Sequence, residues 1–149
     1  MKALLEAIQT KLRDSATLNY VQDRSIIITP DEYWLPNSIV FPAISIKDGG
    51  ISNDQKLCKT YMQESEVMVI AYQQALNDPE KLVTGQNSVL DITEDIKAVL
   101  IDQDLGFADV NNVFITSELP SENFQNKEGN RYIQKKSIVI RYSLYKAWT

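Results

Sequence analysis

The positions whose residue types could carry chemistry are few, and no histidine accompanies them: the 149 residues contain none. That removes the commonest general base, the commonest zinc ligand and every Ser–His or Cys–His nucleophile pair. Cys58 is the single cysteine, so an internal disulfide and a structural zinc site are both excluded. Its only close cations in sequence are Lys56 and Lys59, and it reads as a buried or incidental thiol. Glu64 and Glu66, two residues apart, share one face of a strand. For acid–base work they would need burial or a close like charge to tune their pKa values. In a polar stretch they are instead solvated or turned toward a partner subunit.

Two further stretches fail as ligand motifs. Asp102-Gln103-Asp104-Leu105-Gly106 has the opening of a calcium loop, but an EF-hand requires an oxygen ligand where Gly106 stands and glycine where Phe107 stands. These residues read as the acidic end of a helix. Gly85, in Thr84-Gly85-Gln86-Asn87-Ser88, precedes a helix, yet neither a second spaced glycine nor Gly-Lys-Ser/Thr follows. It reads as a loop leading to a helix cap. The expectation is therefore a chain with no catalytic residues, no cofactor and no metal, acting without chemistry of its own.

Charge and composition narrow the partners. Fifteen basic and 20 acidic residues give a net charge of −5, which disfavours a general nucleic-acid binder. The densest basic patch, Lys135-Lys136 beside Arg131, reads as the solvated face of a strand. The aromatic run Tyr33-Trp34-Leu35-Pro36 is unusual for a loop. Tyr33 and Trp34 can be core anchors or interface anchors, aromatics being favoured at interface centres. With 44% hydrophobic and 23% charged residues, the composition is globular, and 149 residues suit one domain over 1–149. The start of the chain has no signal-peptide pattern, and no apolar run approaches the roughly 18–20 residues of a membrane span. A soluble protein without a membrane partner is expected.

The elements that would position these residues follow from periodicity. Leu4, Leu5, Ile8 and Leu12 mark one face of a helix. Ser25 to Thr29 is a β-branched run stopped by Pro30-Asp31. Residues 39–47 alternate as a strand, with Pro42 placing it at a sheet edge or a bulge, and Asp48-Gly49-Gly50 reads as its terminating turn. Residues 56–72 read as one long strand, with a helix possible around Gln73-Gln74-Ala75-Leu76. Its Thr60 to Glu66 part is polar and projecting, whereas both faces beyond Glu66 are apolar and buried. Asn77-Asp78-Pro79 opens a loop. Asn87 or Ser88 then caps a second helix whose stripe is Val89, Ile92, Ile96, Val99 and Leu100. Residues 113–119 and 132–148 are closing strands, separated by a polar loop over 120–130 whose length suggests a function. The order α-β-β-β-α-β-β predicts an α+β domain with two helices on a mainly antiparallel sheet.

This layout resembles the tail-terminator (tail-completion) proteins of long-tailed bacteriophages. The likeness runs over nearly the whole chain. It rests on the helix over 4–12 leading into a β region, and on Phe41-Pro42-Ala43-Ile44-Ser45-Ile46 running to Asp48-Gly49-Gly50. It continues with the long strand through Glu66-Val67-Met68-Val69-Ile70, the helix over 89–100, and the C-terminal strand Ser137-Ile138-Val139-Ile140-Arg141-Tyr142. The resemblance implies a hexameric ring that caps the tail tube, stops its polymerisation and joins it to the head. Its partners would be further copies of itself, the tail tube protein and a head-neck protein. DNA would pass the negatively charged lumen without specific binding. The protein would be made in the host cytoplasm and end in the virion, at the tail or neck. Candidate interface residues are then Tyr33, Trp34, Thr60, Met62, Glu64, Glu66, Phe124, Lys127, Glu128 and Arg131. The alternatives are another neck or head-completion component, and a monomeric binding module that uses the aromatic loop 33–36.

Overall fold

A computed structural model of the chain describes residues 1–74, 87–126 and 131–147. Helix α1 (Lys2–Arg13) buries Leu4, Ile8 and Leu12, the stripe its 3.6-residue period requires. Two short 3-10 turns, Ala16–Leu18 and Asp23–Ser25, lead to strand β1 (Ile26–Ile28). Strands β2 (Ala43–Leu57) and β3 (Thr60–Gln74) follow. Helix α2 (Val89–Leu100) begins at Ser88, whose side chain accepts from the Asp91 amide, satisfying one of the amides that an α-helix leaves unpaired at its start. Strands β4 (Val110–Glu118), β5 (Glu122–Asn126) and β6 (Arg131–Ala147) complete the chain.

The fold is α+β, as expected, with a six-stranded sheet ordered β1-β2-β3-β6-β4 and β5 paired to β6. Only β1–β2 is parallel among the described pairings; the others are antiparallel. One face carries Ile44, Ile46, Val67, Val69, Ile138, Ile140, Tyr142 and Leu144 against α1 and α2. On the other face Ala43, Ile70, Tyr72 and Ile133 pack with Leu35 and Ile39. The segment between β1 and β2 therefore crosses the sheet opposite the helices and covers the end where β3 is apolar on both sides. Ser25 Oγ donates to the Val40 carbonyl at 2.6 Å, and the Thr29 amide donates to the Ile46 carbonyl at 3.0 Å, fixing the two ends of this crossing.

Three expectations are corrected. Asp48-Gly49-Gly50 does not end a strand; it lies inside β2, where the register against β3 shifts between Asp48 and Gly50. Gly50 has φ +114°, and a Cβ on Gly49 would lie 3.0 Å from the Glu66 carbonyl oxygen, so the glycines serve a bulge and a close approach. Residues 56–72 are not one strand, because the chain reverses at Cys58-Lys59, between the paired Leu57 and Thr60. Lys59 there has φ +67°, a left-handed conformation through which the chain reverses and which lysine does not advertise. The 120–130 loop contains β5, paired in register from Glu122↔Lys135 to Asn126↔Arg131, so the order gains one strand. Pro42 stands just outside β2. The possible helix around Gln73 and Gln74 is β3 up to Gln74, while Ala75, Leu76, the loop opening at 77–79 and Gly85 fall outside the described residues, as does Trp148.

Candidate assembly surface

Residue types on β3 and β6 divide the sheet face opposite the helices into two regions. In the first, Lys135 is 2% exposed, a severe desolvation for an ammonium unless anions compensate. Its Nζ lies 3.0 Å from Glu32 Oε2 and 2.8 Å from Glu122 Oε1, and 4.3 Å from the centre of the Tyr33 ring. Burial pulls the Lys135 pKa down, but the bonds to Glu122 and Glu32 outweigh it and the net direction is upward. The same bond to Lys135, with a second from the Tyr33 hydroxyl at 2.8 Å, holds Glu122 below its usual range. Phe124 packs edge-on against both Tyr33 and Tyr72, at 5.7 and 6.1 Å, and the Tyr72 hydroxyl donates to the Glu32 carbonyl at 2.7 Å. This cluster clamps the crossing segment and β5 onto the sheet. Lys135 is thus an internal ion-pair centre, not part of a solvated strand face.

In the second region no described element lies over the sheet. Across the strands, Gly50 pairs Glu66, Glu66 pairs Arg141 and Arg141 pairs Phe114; one step along, Ser52, Glu64, Ser143 and Asn112 line up, and Met62 pairs Tyr145. Arg141 Nη2 donates to Glu66 Oε1 at 3.1 Å and its Nε lies 3.7 Å from Glu64 Oε2. The partly exposed guanidinium and carboxylates leave this cluster open to water, where it is worth little. Phe114 is 59% exposed and Tyr145 50% exposed. Aromatics flanking an ion-paired centre of one guanidinium and two carboxylates form a surface suited to burial against another protein, where aromatic and Arg side chains are enriched. Behind β4, on the helix side, a 540 Å³ groove is lined by Ala98, Ile101, Ile115 and Ser117, with Glu94, Lys97 and Glu118 at its lip. Lys97 bridges Glu94 at 2.7 Å and Glu118 at 2.5 Å, and the bond to Glu118, then that to Glu94, raises its pKa.

The residues singled out from sequence fall into three groups. Met62, Glu64 and Glu66 lie on the uncovered region, with Thr60 at its end, where the buried Thr60 Oγ1 has no hydrogen-bond partner. Tyr33 and Phe124 belong to the clamp, and Trp34, 40% exposed, flanks it. Lys127 and Glu128 fall outside the described residues, and Arg131 is described only by its backbone pairing with Asn126. Sequence reasoning does not single out Arg141, Phe114 or Tyr145. The signal available is a cation in the apolar run Ile138-Val139-Ile140-Arg141-Tyr142, but without strand pairing nothing joins it to the two glutamates.

Cys58 is exposed in the hairpin turn. Asp104 Oδ1 accepts from the Gly106 amide at 2.9 Å, closing the turn after α2. Among the described residues no group of three or more Cys, Asp or Glu could hold a metal ion. No described helix is long and apolar enough to cross a membrane. Within the aromatic loop, Leu35 is fully buried in the second core, while Tyr33 and Trp34 stay exposed.

No protein-family model matches the chain, and no curated protein matches it. Among solved structures the fold is similar to that of a chain described as "Virion of native gene transfer agent (GTA) particle". The TM-score is 0.61 at 12% sequence identity, over 95% of this chain and 94% of that one.

Proposed function

We propose that this chain is a structural subunit of a phage-like virion and, within that class, a tail-terminator-like protein. It forms a ring, hexameric in the resembling family, that caps the tail tube, stops its polymerisation and joins it to the head. It does so by contact alone, without catalysis. The observation that carries the reading is the shared fold, which extends over nearly the full length of both this chain and the chain from the gene transfer agent virion. The uncovered sheet region supports it, because a face with exposed Phe114 and Tyr145 gains from burial in an assembly. Partners in this reading are neighbouring copies, the tube protein and a head-neck protein, with DNA passing through the lumen unbound.

Removing the gene from a particle-producing strain and imaging the particles tests the assignment. Tails of unregulated length, detached from heads, are expected. Tails of normal length beside unjoined heads would move the chain to a head-completion role. Charge reversal at Glu64 and Glu66 asks whether the uncovered region takes part: unaltered ring formation and capping would remove both residues from the account.

A further inference from the structure

Among the described residues two strand edges remain open, and they match. Strand β1 pairs with β2 only at Ile44, Ser45 and Ile46, with one further bond from the Thr29 amide to the Ile46 carbonyl. From Lys47 to Asn53 the outer edge of β2 has no strand neighbour among the described residues. At the far side of the sheet the outer edge of β4 has none either. The cross-strand registers place these edges at one height. Ser117 stands level with Lys47 through Val139 and Met68, Phe114 with Gly50 through Arg141 and Glu66, and Asn112 with Ser52 through Ser143 and Glu64. Val110 is level with Asn53 through Leu144 and Gln63. The open stretch of β2 begins where β1 stops and spans the height of β4 from Ser117 to Val110, while Glu118 is level with Ile46, which β1 already pairs.

From this match we infer that β4 of one copy adds to the open edge of β2 in the next, continuing the sheet from subunit to subunit. The strand directions permit it. Strands β2 and β6 run one way and β3 and β4 the other, so a copy added side by side meets β4 with an antiparallel β2. Such a contact is head-to-tail, the type that closes into a ring when its rotation allows, and it supplies main-chain hydrogen bonds as in β-augmentation.

Side chains on both faces fit the same register. On the uncovered face Phe114, 59% exposed, meets the next copy's Gly50, where a Cβ would touch nothing within 4 Å. A large aromatic laid across an edge glycine is a stabilising sheet pair. On the helix side Ile51, 46% exposed and level with Val113 through Ser65 and Tyr142, comes beside the groove floored by Ile115 and Ala98. One docking thus covers two exposed apolar side chains and two open backbone edges.

This inference rests on the ring-subunit reading above and deepens it. The test is Asn112→Cys with Ser52→Cys in one chain that also carries Cys58→Ser, mildly oxidised after gel filtration and run without reductant. A ladder of covalent multimers is expected from the double variant, with each single cysteine giving none, because a head-to-tail contact pairs unlike positions. Light scattering and negative-stain images are recorded on the same samples before oxidation. Rings without a ladder would overturn the edge contact while leaving the ring reading intact. Monomers without a ladder up to millimolar chain would overturn the edge contact as a self-sufficient one and leave the gene-removal experiment to judge the virion role. Phe114→Ala, exposed and so compatible with folding, is expected to lower the multimer fraction at least tenfold; an unchanged fraction would overturn the Phe114–Gly50 register.

Discussion

At the height of Ile70, Tyr72 and Lys135 the sheet is covered on both faces, whereas at the height of Glu64, Glu66 and Arg141 the helices alone cover it among the described residues. The same two strands, β3 and β6, run through both regions, so backbone geometry does not make the difference. Side chains do. Ile70 and Tyr72 attract Leu35 and Ile39 over them, and a charge caught beneath that cover must be fully paired. Arg141 and its glutamates stay partly in water, where pairing is loose and easily broken. The doubly covered region holds the fold; the singly covered one is available to a partner.

Stripping the buried ammonium of its partners should do the most damage. Replacing Glu32 and Glu122 together by alanine leaves Lys135 without its two carboxylates, and a loss of about 3–5 kcal/mol is expected. Urea unfolding reads it, and a loss below about 1 kcal/mol would place Lys135 in water instead. Next comes Leu35→Ala, expected to cost about 3 kcal/mol through the cavity left in the second core. Phe114→Ala on the uncovered face should stay within about 0.5 kcal/mol of the parent. Equal costs for the two would erase the distinction between the regions.

Acid should act more gently. Glu122 has a folded pKa below the ordinary value of 4.5, so its contribution is fully present above that value and lost as the pH falls through the folded one. Thermal melts between neutrality and strong acid should show a steeper fall for the parent than for Glu122→Gln. Parallel curves would remove Glu122 from the clamp. The least change is foreseen for Arg141→Ala, which should alter stability by about 0–1 kcal/mol in the same urea assay. A larger loss would mean that the Arg141 cluster, too, helps hold the fold.

Much of the fold is legible in the sequence for a plain physical reason. The stripe of Val89, Ile92, Ile96, Val99 and Leu100 has one period and one interpretation, and β3 turning apolar on both faces after Glu66 announces the double cover. The misreadings have equally local causes. Glycine signals permissive backbone without saying whether the chain bends back or bulges, so Asp48-Gly49-Gly50 passes for a turn while the real one, at Cys58-Lys59, carries no glycine. Strand β5 is Glu-Asn-Phe-Gln-Asn, too polar to register as a strand until Phe124 has an aromatic cluster to enter. Lys135 looks solvated because its partners, Glu32 and Glu122, lie 103 and 13 residues away in the chain. For the surface, the pair Glu64 and Glu66 is visible, but Arg141 between them and Phe114 depends on pairing that no local pattern encodes.

The seam between β3 and β6 has a mechanical consequence. It is paired without a register break from Thr60↔Ala147 to Gln74↔Ile133, a length of about 50 Å at about 3.4 Å per residue. Antiparallel ladder bonds lie across the strands, so a pull along the strand axis, with β3 held at one end and β6 at the other, loads the whole seam in shear and cannot peel it bond by bond. The hairpin tip and the Lys135 clamp are therefore opposite ends of one stiff strut, and tension arriving at the tip is borne by the whole seam at once.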